Sequence, residues 1–468
     1  MSSIRRNFVY NSLYQLLILI MPLLTTPYVS RVLGAKNVGV YAYSYSIAYF
    51  FVLFAMLGVN NYGNRSCAQV RDDRKLLSKT FWSIYFLQAI LTIVFASLYI
   101  MYAIFISRIS FWVSAFQIMY VISAAFDINW FFFSIEEFKL TIARNTFVKT
   151  FTMILIFLTI RQANQLWLYT LIMAGGTLLS QLVVWPFLLK YVDFYRPSFR
   201  EIAAHFLPNL VLFVPAVAVS LYKYMDQVLL GMLSNMTQEG YYSQSVKIIQ
   251  IPLGFISALS TVMLPKMSNL AAKHQKRESI QLINNSMLFV TFLTVGLSFG
   301  LSGIADVFIP LFLGNEFKPA GDLLVGLCIS IIFVGWANVI RSQFLIPNKR
   351  DKIYLITVCF GAIVNVLTNL IFVRFIGAMG AVIANILAEA SVAFSQSYLV
   401  RKELPVMSYF VEAIPFLFAG VLMTVLLRLP VYPASPLLAL FIKLLVGTLF
   451  YLIESFIIIR VWHPRMWM

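Results

Sequence analysis

The chain has 468 residues, of which 61% are apolar and only 11% charged, and it carries a net charge of +17 at pH 7. Soluble domains run at about half apolar and a quarter charged, so a water-soluble fold of this length is excluded. The basic surplus lies in short connectors between apolar runs, where it orients a chain in a bilayer rather than gripping nucleic acid.

In chain order, the first apolar run begins near Phe8, behind Arg5 and Arg6. It resembles a secretion signal only superficially. It contains Asn11, Tyr14 and Gln15, continues to Ser30, and lacks a small-residue cleavage site. We read it as a retained first span. Further runs begin near Val38, Thr80, Phe111, Phe147, Trp167, Phe206, Gly240, Ile283, Asp322, Ile353, Gly380, Tyr409 and Leu437. About 20 apolar residues suffice to cross a hydrocarbon core of roughly 30 Å as a helix. The expected fold class is therefore an all-α polytopic membrane protein with about 14 transmembrane helices.

The connectors then fall alternately on two sides. Most of the basic residues, among them Arg65, Arg71, Arg74, Lys139, Lys190, Arg196, Lys273, Lys276, Lys349, Arg350, Arg401 and Lys402, share one side. The other side holds only Arg31, Lys36, Arg108, Arg161, Lys318, Arg374 and Arg428. Removing one span would scramble this partition. The expected topology is multi-pass with both termini cytoplasmic. The longest outward connector is read as Ile304 to Gly321, too short for a catalytic domain. No G-x-x-x-x-G-K-[ST] loop is present, so ATP hydrolysis is not expected. Cys67, Cys328 and Cys359 make no disulfide framework, and His205, His274 and His463 offer no metal-ligand spacing. The chain is expected to be a transporter rather than an enzyme, with no catalytic residues, metal or cofactor beyond H+ or Na+ coupling.

An internal repeat is visible. Gly39-Val40-Tyr41-Ala42-Tyr43-Ser44 opens the second run, Gly240-Tyr241-Tyr242-Ser243-Gln244-Ser245 the eighth, and both follow a Leu-Gly pair, Leu33-Gly34 and Leu230-Gly231. Six runs separate the copies, so they share one orientation, a common transporter plan.

Charges within the apolar runs are costly and usually face a partner or a wet cavity. They are Asp127, Lys223, Asp226, Lys247, Arg341, Glu389, Lys443 and Glu454. Lys223 and Asp226, three residues apart on one helix, either neutralise each other or serve a site. Lys443 and Glu454 lie near the ends of the last run, where snorkelling is the simpler reading. Asp127 lies near a cytoplasmic end. Lys247, Arg341 and Glu389 are read as deeper and as cavity residues. Polar stripes at helical spacing accompany them: Asn11 with Gln15, Ser243 with Lys247 and Gln250, Asn338 with Arg341, Asn365 with Asn369, and Asn385 with Glu389. The asparagine pair Asn365 and Asn369 suits helix–helix contact as well as substrate contact. Tyr41, Tyr45 and Tyr49 form an aromatic stripe that packs or, as a minority reading, contacts sugar.

Pro27-Tyr28-Val29-Ser30-Arg31-Val32-Leu33-Gly34-Ala35, followed by Val38-Gly39-Val40-Tyr41, resembles the opening of the polysaccharide-transporter branch of the MOP flippase superfamily, which includes Wzx-type oligosaccharide flippases. Asp226-Gln227-Val228-Leu229-Leu230-Gly231, Gly240-Tyr241-Tyr242, Lys247, Leu264-Pro265 and Leu311-Phe312-Leu313-Gly314-Asn315-Glu316-Phe317 are similar to the second half of that family. The resemblance covers the whole chain. It implies two six-helix lobes related by a pseudo-twofold around a central cavity, here residues 1–200 and 201–404, with two extra helices at 405–468. It also implies movement of an undecaprenyl-diphosphate-linked oligosaccharide across the bacterial plasma membrane by alternating access, driven by an ion gradient, for capsule, O-antigen or exopolysaccharide assembly.

Of the residues singled out, Arg31 and Asp226 match family motifs; the others are chosen on physical grounds. Arg31, Lys223, Lys247, Arg341 and Asn338 are candidates for the diphosphate and glycan, since fixed cations attract phosphate. Asp226, Glu389 and Asp127 are candidates for ion coupling. Expected partners are the lipid-linked oligosaccharide, membrane lipid, a polysaccharide polymerase and glycosyltransferases, with the chain itself a monomer. The competing readings are a MurJ-type lipid II flippase, a MATE-type cation-coupled exporter and, from another class, a membrane polysaccharide polymerase or ligase. The excess of basic candidates argues against a cation exporter, and the short outward connectors against an enzyme.

Overall fold

The computed structural model describes the backbone of residues 2–462 and, except for Phe138, Pro215 and Tyr222, the side chains of residues 21–461. The stripe at Asn11 and Gln15 and the terminal His463 lie outside the described side chains. All regular elements among the described residues are helices. They group into two compact units, Met1–Tyr224 and Met225–Met468. The division falls inside a helix, α10, rather than at the connector near residue 200, and the last two spans belong to the second unit.

The first unit contains α1 (Ser2–Met56), α2 (Val59–Gln69), α3 (Arg74–Phe105), α4 (Phe111–Phe126), α5 (Asn129–Ser134), α6 (Phe138–Thr159), α7 (Leu166–Leu182), α8 (Trp185–Leu188), α9 (Phe199–Ala204) and most of α10 (Phe206–Leu233). The element α1 is two apolar runs joined at Gly34, whose φ of 76° and ψ of 168° lie in a region open only to glycine. Asp73 caps α3, accepting from the backbone N–H groups of Lys75 and Leu76. Around α3, the rings of Phe81, Trp82, Trp130, Phe131 and Phe132 build a buried aromatic core with Val59 and Leu77. Gln88 serves that core's polar edge: it donates to the Ala124 and Asp127 carbonyls and accepts from the Trp130 indole.

The second unit contains the end of α10 with α11 (Met236–Ala272), α12 (Lys276–Leu313), α13 (Ala320–Val339), α14 (Asp351–Ile376), α15 (Ala378–Val400), α16 (Val406–Arg428) and α17 (Pro436–Trp462). Both α16 and α17 pack on α12. A wide π-type turn, Ile340–Leu345, continues α13. Both α11 and α12 are long, with 37 and 38 residues. At 1.5 Å per residue each is about 56 Å, well beyond the thickness of a hydrocarbon core. The outward connector is correspondingly shorter than expected: α12 runs on to Leu313, leaving only Gly314–Pro319 before α13. Within that stretch Asp306 is paired with Lys443 and Pro310 is carried inside the helix.

Twelve helices among the described residues are long and apolar enough to cross a membrane. The first of these begins at Met21 and α10 is not among them, against about fourteen crossings expected from sequence. The two halves of the repeat turn differently. Gly34 breaks its helix, whereas Gly231 is helical within α10. In the second copy the turn falls at Ser234 and Asn235, where the Asn235 side chain caps α11 by accepting from Gln238 N–H at 3.0 Å.

Candidate functional site

A polar group is buried in the second unit, contributed by α10, α11, α14 and α15. Its centre is Asp226, 3% exposed. One carboxylate oxygen accepts from the Tyr242 hydroxyl at 2.5 Å. The other accepts from the Asn365 and Asn369 amides at 2.8 and 2.6 Å. The Asn385 side chain also reaches this carboxylate. Each donor has a local reason to point inward. Asn365 and Asn369 are one turn apart on α14, and Asn369 also donates to the Asn365 carbonyl. The fully buried Tyr242 stands in the second turn of α11.

What distinguishes this group from helix–helix packing is its excess of acceptors. The Oδ1 atoms of Asn365, Asn369 and Asn385 and both carboxylate oxygens of Glu239 are buried without a hydrogen-bond donor. Both polar atoms of Gln244 are likewise unpartnered. An unsatisfied buried polar group costs about 1–3 kcal/mol, more if charged. A proton or a small hard cation would satisfy carboxylate and amide oxygens together, since such ions take oxygen ligands. Among the described residues there is no group of three or more His, Cys, Asp or Glu side chains that could hold a metal ion.

The positions singled out from sequence are distributed as follows. Asp226 is the centre of the group, and Glu389 on α15 is electrostatically coupled to Tyr242. Lys247 interacts electrostatically with Glu239, one face of α11 carrying both, and its side chain is exposed to open space. Arg341 forms a separate pair, donating to Asn338 Oδ1 at 2.6 Å from the π-type turn, with its guanidinium 5.7 Å from the Tyr354 ring. It stands in the last turns of its span rather than deep within it. Lys223 is exposed, with its ammonium 5.4 Å from the Tyr224 ring, so Lys223 and Asp226 are spent on different partners. Arg31 is exposed, three residues before Gly34. Asp127 lies in the first unit at the break between α4 and α5, where it accepts from both the backbone and the side chain of Asn129.

Sequence reasoning missed Glu239 and Gln244. Glu239 was passed over because it stands at the start of its helix, among connector residues. Its spacing of four from Ser243 and eight from Lys247 puts it on their face and is the signal that could have found it. Lys443 needs correction. It does not snorkel: it is 4% exposed and its ammonium lies 3.1 Å from Asp306. It also lines an apolar cavity of about 390 Å³ between α11, α12, α16 and α17, with Phe255, Phe292, Leu297, Met423, Leu444 and Tyr451.

The apolar helices and the buried acidic group belong to a helical membrane class of fold. A family model described as "Polysaccharide biosynthesis protein" matches residues 4–271, more than half of the chain. The chain belongs to that family. It is 19% identical over 355 residues to a protein of Escherichia coli (strain K12) named "Putative O-antigen transporter", covering 75% of this chain and 85% of that one. Among solved structures, it is similar in fold to "Lipid II flippase MurJ, inward closed conformation", with a TM-score of 0.74, 17% identity, and coverage of 97% of this chain and 98% of that one. It is also similar in fold to an inward-facing "multidrug resistance MATE family transporter of the MOP superfamily", with a TM-score of 0.61, 14% identity, and coverage of 86% and 98%.

Proposed function

We propose that this protein is a flippase that moves an undecaprenyl-diphosphate-linked oligosaccharide from the inner to the outer leaflet of the bacterial plasma membrane, by alternating access, for cell-surface polysaccharide assembly. The family and the O-antigen transporter relative support a glycan cargo. The physical need is plain: sugars and phosphates lose their water in hydrocarbon, at several kcal/mol for each unsatisfied polar group. Arg31 and Lys223 are exposed in the first unit, and in the second Lys247 is exposed and Arg341 half-exposed; each is a cation that a diphosphate would attract. The polyprenyl chain needs only apolar surface.

The observation that carries the coupling part of this reading is the Asp226 group with its donorless oxygens. A bound H+ or Na+ compensates Asp226 and Glu239 in one state of the transporter and leaves in the other, so the ion gradient biases the cycle. Asp226→Asn replaces an acceptor by a donor against three existing donors and removes the charge. It should cut export of lipid-linked oligosaccharide at least tenfold with protein levels unchanged. The test is a deletion strain of the source bacterium complemented with either form. The strain should accumulate lipid-linked oligosaccharide on the cytoplasmic side, relieved by the native chain and not by the variant. Absence of accumulation in the deletion strain would overturn the function, and full rescue by Asp226→Asn would overturn the coupling site.

A further inference from the structure

We propose that Tyr45, Tyr49 and Tyr224 of the first unit form the surface on which pyranose rings of the cargo are selected, with Lys223 at its edge receiving an acidic sugar substituent or phosphate. The inference rests on the glycan-flippase reading and deepens it.

Tyr41, Tyr45 and Tyr49 recur every four residues on the second arm of α1, so they form a ladder about 12 Å long on one face. Three other helices bring tyrosines to that ladder. Tyr169 of α7 meets Tyr41 edge-on at 4.8 Å, and Tyr120 of α4 meets Tyr45 edge-on at 5.0 Å. Tyr224 of α10 lies 4.0 Å from Tyr49 and 6.2 Å from Tyr45, ring centre to ring centre. The cluster has two layers. Tyr41, Tyr120 and Tyr169 are buried, and the Tyr41 and Tyr120 hydroxyls bond each other at 2.9 Å. Tyr45, Tyr49 and Tyr224 are only half-buried, and Lys223 beside them is exposed.

Packing alone does not call for phenols at this depth. The chain uses 42 phenylalanines, and a phenylalanine would fill the same space without a hydroxyl that must be satisfied in a hydrocarbon setting. A half-exposed phenol pair offers what a sugar requires. The electron-rich ring face takes the polarised C–H face of a pyranose, and the hydroxyl exchanges hydrogen bonds with the sugar's rim. Tyrosine also loses little conformational freedom on binding, which suits a rigid selecting surface. The buried layer acts through the exposed one; its tyrosines are positioning residues.

The full-length protein in lipid nanodiscs is titrated with two probes: the lipid-linked oligosaccharide that accumulates in the deletion strain, and undecaprenyl diphosphate. The native chain should bind the glycosylated probe at least tenfold more tightly. Tyr49→Leu with Tyr224→Leu should erase that preference while leaving the Kd for undecaprenyl diphosphate within twofold. Tyr49→Trp, which keeps an aromatic face, should retain most of it and guards against misreading a folding defect. A native chain that binds both probes equally, or a double variant that loses both alike or neither, overturns the tyrosine assignment alone. A native chain that binds neither probe overturns the flippase reading with it.

Discussion

Asp226 and Gly34 illustrate two ways in which a single residue matters here. Asp226 is a buried carboxylate whose oxygens accept from Tyr242, Asn365 and Asn369, so its amide would place a donor where these three now donate. Gly34 occupies a backbone conformation that carries no side chain comfortably. We therefore expect Gly34→Ala to destabilise the protein by about 1–3 kcal/mol. Gly231→Ala, at the paired position of the repeat but helical, should change stability by about 1 kcal/mol at most, in either direction. Unfolding of the two variants in detergent, followed by a thiol probe on buried Cys67 or Cys328, separates them. Equal effects would mean that the break at Gly34 is not a strained one. The two glycines are indistinguishable in sequence; only the backbone tells them apart.

Connectors between elements are tied by ion pairs. Arg74 makes a two-pronged contact with Asp193, and Lys79 on α3 meets Glu201 on α9 at 2.7 Å. Glu201 also completes a capping box with Ser198 at the start of α9. The Lys79 ammonium, with the Ser198 backbone N–H behind it, pushes the Glu201 carboxyl down to about 2. Because this lies below its ordinary value, the stabilisation is complete above that value and fades only as pH falls toward 2. The segment from α8 to α9 should thus stay protected from protease between pH 7 and pH 4, and Glu201→Gln should open it at pH 7. Equal protection of the variant would remove the strap. Of these helices α3 was legible, as the apolar run beginning near Thr80, because a crossing length is fixed by the bilayer; the short α9 lies between two predicted runs and was not. Nor were the ion-pair partners, since Asp193 and Glu201 are more than a hundred residues from Arg74 and Lys79.

At the scale of the whole molecule, the fourteen crossings expected from sequence are an even number, which would put both ends on one side. Green fluorescent protein fused after Met468 should fluoresce, and alkaline phosphatase fused there should be inactive. The opposite pair of results would break the parity argument. The helical membrane class and the family resemblance could be read from sequence alone, because transfer into hydrocarbon is a sum over local segments and each run of apolar residues reports it independently. The placement of charges within those runs was also visible. Which of them meet was not. Glu239 looked like a connector residue and Lys443 like a snorkelling one, yet the first is buried beside the Asp226 group and the second is paired with Asp306. Likewise, Tyr224 joins a tyrosine ladder that starts 183 residues earlier in the chain at Tyr41. Burial of a polar side chain is decided by what neighbouring helices offer it, and that pairing exists only once the helices have packed.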